Sequence, residues 1–444
     1  MFELKGAAME NNHHIKEFAV YSTLNVLGML GLSCYILADT FFISRGLGAN
    51  GLTALNLAIP IYSFVHGTGL MLGMGGGTNY SICKSQKERN TPNSFFTHTV
   101  FMAAVFSVIF VLTGIFFSEP LTRALGADSE VFEMTNTYLK VILLFAPAFI
   151  LNAVIICFVR NDGNPRLSML AMLGGSFSNI VLDYIFIFPL KMGIFGAVFA
   201  TGLAPVISLF ILSMHWVKKK GALQLIKTQP NLRMSQDTLS LGFPSLISEV
   251  SSGIVIILFN IIILSLQGNV GVAAYGVVAN LSLVVVAIYT GIAQGIQPLI
   301  SKAYGHGDMV NAKRILRYAM ITMAIISCVI YFSMFFFADP ITRIFNSEND
   351  LQLQKIAVVG LKLYFTAVLF AGFNIIISAF FTSTAKAMPA HIISLSRGLV
   401  VIVPMAFLLS SLFGITGVWL AFPVTEGLVA LLAALIYFRL RSTW

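Results

Sequence analysis

Charge is what this sequence has least of. Its 444 residues carry 27 Lys and Arg and 18 Asp and Glu, so 10% of the side chains are charged, where a water-soluble domain has about 25%. That is too little polar surface to cover a soluble core, and with 57% hydrophobic residues the implied solvent is lipid. Period-2 alternation is also missing from the apolar runs, which excludes a transmembrane barrel. The four cysteines, Cys34, Cys83, Cys157 and Cys328, have no metal or redox spacing and read as small hydrophobes. No His-Glu-x-x-His, Gly-x-Ser-x-Gly or Cys-x-x-Cys pattern occurs, and the glycine run Gly73 to Thr78 has neither a preceding strand nor a following Lys-Ser/Thr. Membrane enzymology, nucleotide binding and a resident cofactor therefore have no support.

What the chain does have is long apolar runs, centred near residues 30, 65, 106, 148, 177, 204, 252, 285, 327, 369, 401 and 427. Each is long enough to cross about 30 Å of hydrocarbon as a helix. The polar start Met1 to Lys16 precedes a run too long for a signal peptide, so the first span is expected to be retained. An even number of spans puts both termini on one side. That side carries Lys5, Lys16, Lys84, Lys87, Arg89, Arg160, Arg166, Lys218, Lys219, Lys220, Lys227, Arg233, Lys302, Lys313, Arg314, Arg317, Lys386, Arg439 and Arg441. The other side has only Arg45, Arg123, Lys140, Lys191, Arg343 and Lys355. The bias predicts cytoplasmic termini in a multi-pass protein of the cell (inner or plasma) membrane, and it accounts for the net charge of +9 without nucleic acid.

The two halves repeat. Ser118-Glu119-Pro120-Leu121-Thr122-Arg123 matches Ala338-Asp339-Pro340-Ile341-Thr342-Arg343, Leu139-Lys140 matches Leu361-Lys362, and Gly193-Ile194-Phe195-Gly196 matches Gly414-Ile415-Thr416-Gly417. One register near 221 residues serves all three. The expected fold is an all-α membrane protein with 12 transmembrane helices in two pseudo-symmetric six-helix bundles, related by an axis along the membrane normal. The predicted divisions are a cytoplasmic tail 1–16, a bundle 17–217, a cytoplasmic linker 218–237 and a bundle 238–444.

Only Asp39, Asp183, Glu249 and Glu426 are acids inside spans, and a charge at the bilayer centre costs about 2.5–3.5 kcal/mol on insertion scales. In the fifth span Ser176, Asn179 and Asp183 fall at i, i+3 and i+7, on one face. Asp39, with Tyr35 a turn before it, and Thr201 in the sixth span would meet that face if spans 1, 5 and 6 adjoin. Two carboxylates, an amide and a hydroxyl supply oxygen ligands only, suited to Na+ or a shared proton. Glycines Gly69, Gly73 and Gly77 line a packing stripe. His66 reads as solitary. Glu249 follows Gly242-Phe243-Pro244, which predicts a kink, with Arg397 as its counter-charge. Glu426 can snorkel to the interface. Gly291 to Ser301, containing Gln294, is polar and glycine-rich enough to face a cleft.

At these residues the chain resembles the multidrug and toxic compound extrusion (MATE) family of bacterial transporters. The resemblance spans the whole length: two six-helix halves, Ala38-Asp39-Thr40, the end of span 8 at Gly295-Ile296-Gln297-Pro298, and the Pro165 and Pro389 turns. It implies a cation-coupled (H+ or Na+) antiporter exporting amphipathic, mostly cationic compounds by alternating access, working as a monomer amid membrane lipid. The archaeal-like, DNA-damage-inducible branch resembles this sequence at Asp39, Asn179, Asp183 and Thr201, the implied coupling set. Tyr35, Asp39, Asp183, Glu249, Gln294 and Arg397 are the candidate substrate-binding residues. Two departures stand out: Leu24-Asn25 where the family often has a proline, and no acid in span 10. The alternative is a flippase for a lipid-linked sugar or peptidoglycan precursor, whose cavity should be rich in Arg and Lys. Only Lys362 and Arg397 lie in spans here, which favours cationic substrates.

Overall fold

The computed structural model describes residues 2–87, 91–218, 221–346 and 350–441, with side chains from His14 onward. Of the one-sided basic set, Lys5, Arg89, Lys219 and Lys220 lie outside the side chains described. Among the described residues the chain forms helices and no strand; eight helical stretches, or nine with a bent pair, are long and apolar enough to span, and breaks at Gly48, Gly268 and Gly414 divide three of them to give twelve helices. These are α1 (2–47), α2 (49–85), α3 (Thr91–Phe116), a bent α4 (132–161), α5 (Pro165–Ile187) and α6 (Gly193–Val217). The second set is α7 (232–267), α8 (269–305), α9 (Met309–Phe336), α10 (Leu351–Ser383), α11 (387–413) and α12 (415–440).

The breaks reproduce the sequence repeat in backbone geometry. Gly48 and Gly268 separate α1 from α2 and α7 from α8 with almost the same dihedrals, φ 68 and ψ −158 against φ 63 and ψ −157. Left-handed residues recur at Lys87 and Gly307, at Gly163 and Ala385, and at Gly193 and Gly414. Short helices Ser118–Ala124 and Ala338–Phe345 fall at the same register. Glycine suits these turns because it adopts positive φ without the ~1–2 kcal/mol that a Cβ costs there. Helix starts are set locally: Asn164 caps α5 ahead of Pro165, Asp308 caps α9, and Asp350 caps α10.

Hydrocarbon imposes two further features. Large apolar side chains such as Phe101, Phe177, Phe210 and Leu431 point outward, as a lipid-facing surface requires. Hydroxyls inside spans bond their own helix, for example Thr40 to the Ile36 carbonyl at 2.9 Å and Thr68 to the Phe64 carbonyl at 2.7 Å. Asn25 does the same, donating to the Tyr21 carbonyl at 2.8 Å.

The chain divides into two compact units. One comprises residues 27–250 and 301–307, the other residues 1–26, 251–300 and 308–444. Within the first, residues 221–230 run as irregular chain along α3. Asn93 pairs with the backbone of Ala222 and Gln224, Thr97 accepts from the Ile226 amide at 3.1 Å, and Trp216 donates to the Leu223 carbonyl at 2.9 Å. The basic linker is thus a docked strap here rather than a free loop.

Candidate functional site

The 27–250 unit brings α1, α5 and α6 together, as the sequence condition required. Small residues make this possible. A Cβ at Gly31 would lie 2.5 Å from the Leu173 side chain, and one at Gly175 would lie 3.1 Å from the Ala204 carbonyl oxygen. Asp39 on α1 and Asp183 on α5, both buried, come close enough for their carboxyls to interact directly. Neither Asp39 Oδ1 nor Asp183 Oδ1 meets a donor. Asn179, with its amide turned to satisfy both ends, donates to Asp183 Oδ2 at 3.0 Å and accepts from the Thr201 amide at 3.2 Å. The Thr201 hydroxyl donates to the Ala197 carbonyl at 3.1 Å, and the buried Tyr138 lies within electrostatic reach of Asp39 and Asp183. Tyr138 on α4 escaped the sequence reading because a lone tyrosine at the start of an apolar run carries no pattern.

The array continues onto α2 and α7. The Tyr35 and Tyr62 hydroxyls share a hydrogen bond of 2.8 Å, and the Tyr62 ring stacks on His66, with centroids 5.8 Å apart and planes within 3°. His66 Nδ1 lies 3.5 Å from Glu249 Oε2. His66 is therefore not solitary, and it, not Arg397, is the partner of Glu249. Two glycine faces on α2 explain the approach. Gly69, Gly73 and Gly77 meet α4, as their spacing predicted, whereas Gly67 and Gly75 meet α7. A Cβ at Gly75 would lie 1.9 Å from the Thr238 carbonyl oxygen, and one at Gly242 would lie 1.7 Å from that of Met71. The helix continues on both sides of Pro244, and the marked break in this stretch comes at Gly268, not at the predicted kink.

A third cluster sits where the strap leaves α6. Asp162, with its side chain buried, accepts from the Tyr80 hydroxyl at 2.7 Å, His215 Nε2 at 2.9 Å, the Ala222 amide at 2.8 Å, and Lys84. Burial pushes the Asp162 carboxyl up, but the bonds from His215, Lys84 and Tyr80 outweigh it and hold it at about 2. A Cβ at Gly221 would fall 1.9 Å from Asp162 Oδ2, so the strap needs glycine there. Asp162 was hidden in sequence by lying in a loop.

The remaining predicted residues belong to the other unit. Gln294 is buried in α8, flanked by Gly291 and Gly295, which run against the backbone of Val26 and Ser22. Arg397 lies in a π-helical turn, Ser396–Val400, and its Nε donates to Glu426 Oε1 at 2.7 Å. Asn374 on α10 donates to Glu426 Oε2 at 2.7 Å. Glu426 is fully buried, which overturns the snorkelling expectation: a paired and bonded carboxylate needs no route to water.

Comparison with known proteins gives a consistent result. A family model described as MatE matches residues 26–185 and 244–408. Multidrug export protein MepA of Staphylococcus saprophyticus is 27% identical over 98% of this chain and 95% of its own. MepA of Staphylococcus aureus is 26% identical over the same shares. Among solved structures, an outward-facing multidrug resistance MATE family transporter of the MOP superfamily aligns with TM-score 0.89 at 25% identity, covering 96% of this chain and 95% of that one. A MOP superfamily transporter from Pyrococcus furiosus, for which a reversed pocket polarity is described, aligns with TM-score 0.88 at 25% identity over the same shares.

Proposed function

The chain belongs to the MatE family of multi-pass membrane transporters and is not an enzyme, and from that premise we propose that it exports amphipathic organic cations in exchange for protons. The observation that carries the proposal is the Asp39–Asp183 carboxyl pair, two buried acids next to each other. With one proton the pair bears a single negative charge in a low-dielectric site. A second proton cancels that charge, and so does a monovalent organic cation, so the two compete. Asn179 and Thr201 fix the geometry of Asp183, and Tyr35 and Tyr138 line the approach. A carrier that alternates between inward and outward openings converts this competition into exchange, because the proton is supplied from outside and the drug from the cytoplasm or inner leaflet.

The energetics set the limits. One charge crossing 100 mV is worth about 2.3 kcal/mol, so one-for-one exchange of a proton for a monovalent cation cancels the voltage. The pH gradient alone then drives it, at about 1.4 kcal/mol per unit. Steeper accumulation needs a second proton. The proposal places the protein in the cell membrane with both termini cytoplasmic, monomeric, and without a resident cofactor. Sodium is the rival coupling ion because oxygen ligands serve both, but two neighbouring buried carboxyls avoid a double negative charge by sharing a proton, which favours H+.

Asp39→Asn and Asp183→Asn are each expected to abolish ethidium export in cells while leaving membrane insertion intact. Wild-type resistance in both variants would refute the assignment. In liposomes, dye uptake that rises with sodium at fixed pH would overturn proton coupling. Export of a lipid-linked precursor without any imposed gradient would favour a flippase instead.

A further inference from the structure

The His66–Glu249 pair, a histidine and an acid within spans of the 27–250 unit, is unused by the reading above. A histidine and a carboxylate inside spans each need a reason. The helices carrying them are held at backbone contact by Gly67, Gly75 and Gly242. The pair is not sealed: the side-chain exposures are 17% for His66 and 34% for Glu249, so both can meet a ligand. The Tyr62 ring lies flat on the imidazole with its edge on Phe149, an aromatic wall suited to an organic cation.

We propose that His66 and Glu249 form a second proton-exchange site, at which a lipophilic organic cation binds against the Glu249 carboxylate while His66 is neutral and is expelled when His66 takes up a proton. The charge arithmetic follows from the 3.5 Å separation. Neutral imidazole beside carboxylate leaves one negative charge for a cation to neutralise. Imidazolium beside carboxylate leaves none, and it confronts the cation with a like charge. Histidine is the side-chain type whose charge ordinarily changes between about pH 5 and 8. The groups facing it are Tyr62 on its own helix and Glu249 on α7, and behind Tyr62 stand Tyr35 and Asp39 on α1 and Tyr138 on α4. The Tyr35–Tyr62 hydroxyl bond stands between the two sites, and Tyr62 lies in the electrostatic reach of both Asp39 and Glu249. One bound cation can therefore displace a proton from each. This inference rests on the export reading and supplies the second proton that accumulation against voltage requires.

The test is the pH dependence of ethidium binding to the purified full-length protein, followed by fluorescence polarisation between about pH 5 and 8. Each proton displaced changes Kd about tenfold per pH unit. The wild type is expected to weaken on acidification with a limiting slope near two, His66→Gln and Asp39→Asn each with a slope near one, and the double variant with none. Glu249→Gln should bind at least about tenfold more weakly at pH 8, a second readout should His66→Gln resist purification, and undiminished binding there would also overturn the proposal. A wild-type slope near one that Asp39→Asn removes entirely would overturn the proposal, as would a His66→Gln slope equal to wild type. A pH-independent wild-type Kd would instead remove the export reading itself, and the inference with it.

Discussion

The sharpest quantitative consequence concerns Asp162 and the strap. Four donors converge on its two oxygens, from Tyr80, Lys84, His215 and the Ala222 backbone. The carboxyl is held at about 2 against an ordinary 3.8, a difference of about 2.5 kcal/mol at 1.36 kcal/mol per unit. Because the folded value is the lower one, this stabilisation is complete above about pH 4 and is lost as pH falls through about 2. Asp162→Asn removes it at every pH. It also leaves one acceptor oxygen for four donors and aims an amide N–H at two of them, a fault of about 1–3 kcal/mol per stranded group. The strap should then lift from α3. Hydrogen exchange at peptides covering 221–231, read by mass spectrometry near neutral pH, is expected to quicken by about tenfold to a hundredfold. Equal exchange in variant and wild type would refute the reasoning, since Ala222 donates directly to the altered group.

Two other perturbations test the packing. Arg397→Met strands the buried Glu426 carboxylate with Asn374 alone, and should cost about 3–5 kcal/mol in SDS-induced unfolding, whereas Arg397→Met with Glu426→Leu should recover most of the loss. A single-variant cost below about 1 kcal/mol would show the pair to be incidental. Gly242→Ala drives a methyl to within 1.7 Å of the Met71 carbonyl, so α2 and α7 must part, at about 1–3 kcal/mol in the same assay. Gly276→Ala, with open space around it, should instead stabilise its helix by about 0.5–1 kcal/mol.

The extent to which the sequence disclosed all this follows the range of the forces involved. Span number and repeat were legible because hydropathy and left-handed turns are local: the match of Gly193 to Gly414 in sequence is a match of φ 64 to φ 57 in structure. The Ser176, Asn179, Asp183 face was legible because helical periodicity fixes it. The partner of His66 was not, since Glu249 lies 183 positions further on and no periodicity links two helices. What joins them is the close approach of α2 and α7, and its trace in sequence is a second set of small residues, Gly67 and Gly75 beside Gly69, Gly73 and Gly77. A stripe of glycines wider than one packing face marks a helix with two close neighbours. Asp162 carries the converse lesson. A loop acid beside Asn161 and Gly163 looks solvated, yet Gly221, some sixty residues away, is the residue whose missing side chain lets the strap bury it. The polar residues misjudged from sequence were thus those whose burial depends on a distant glycine, which propensity reads only as a break.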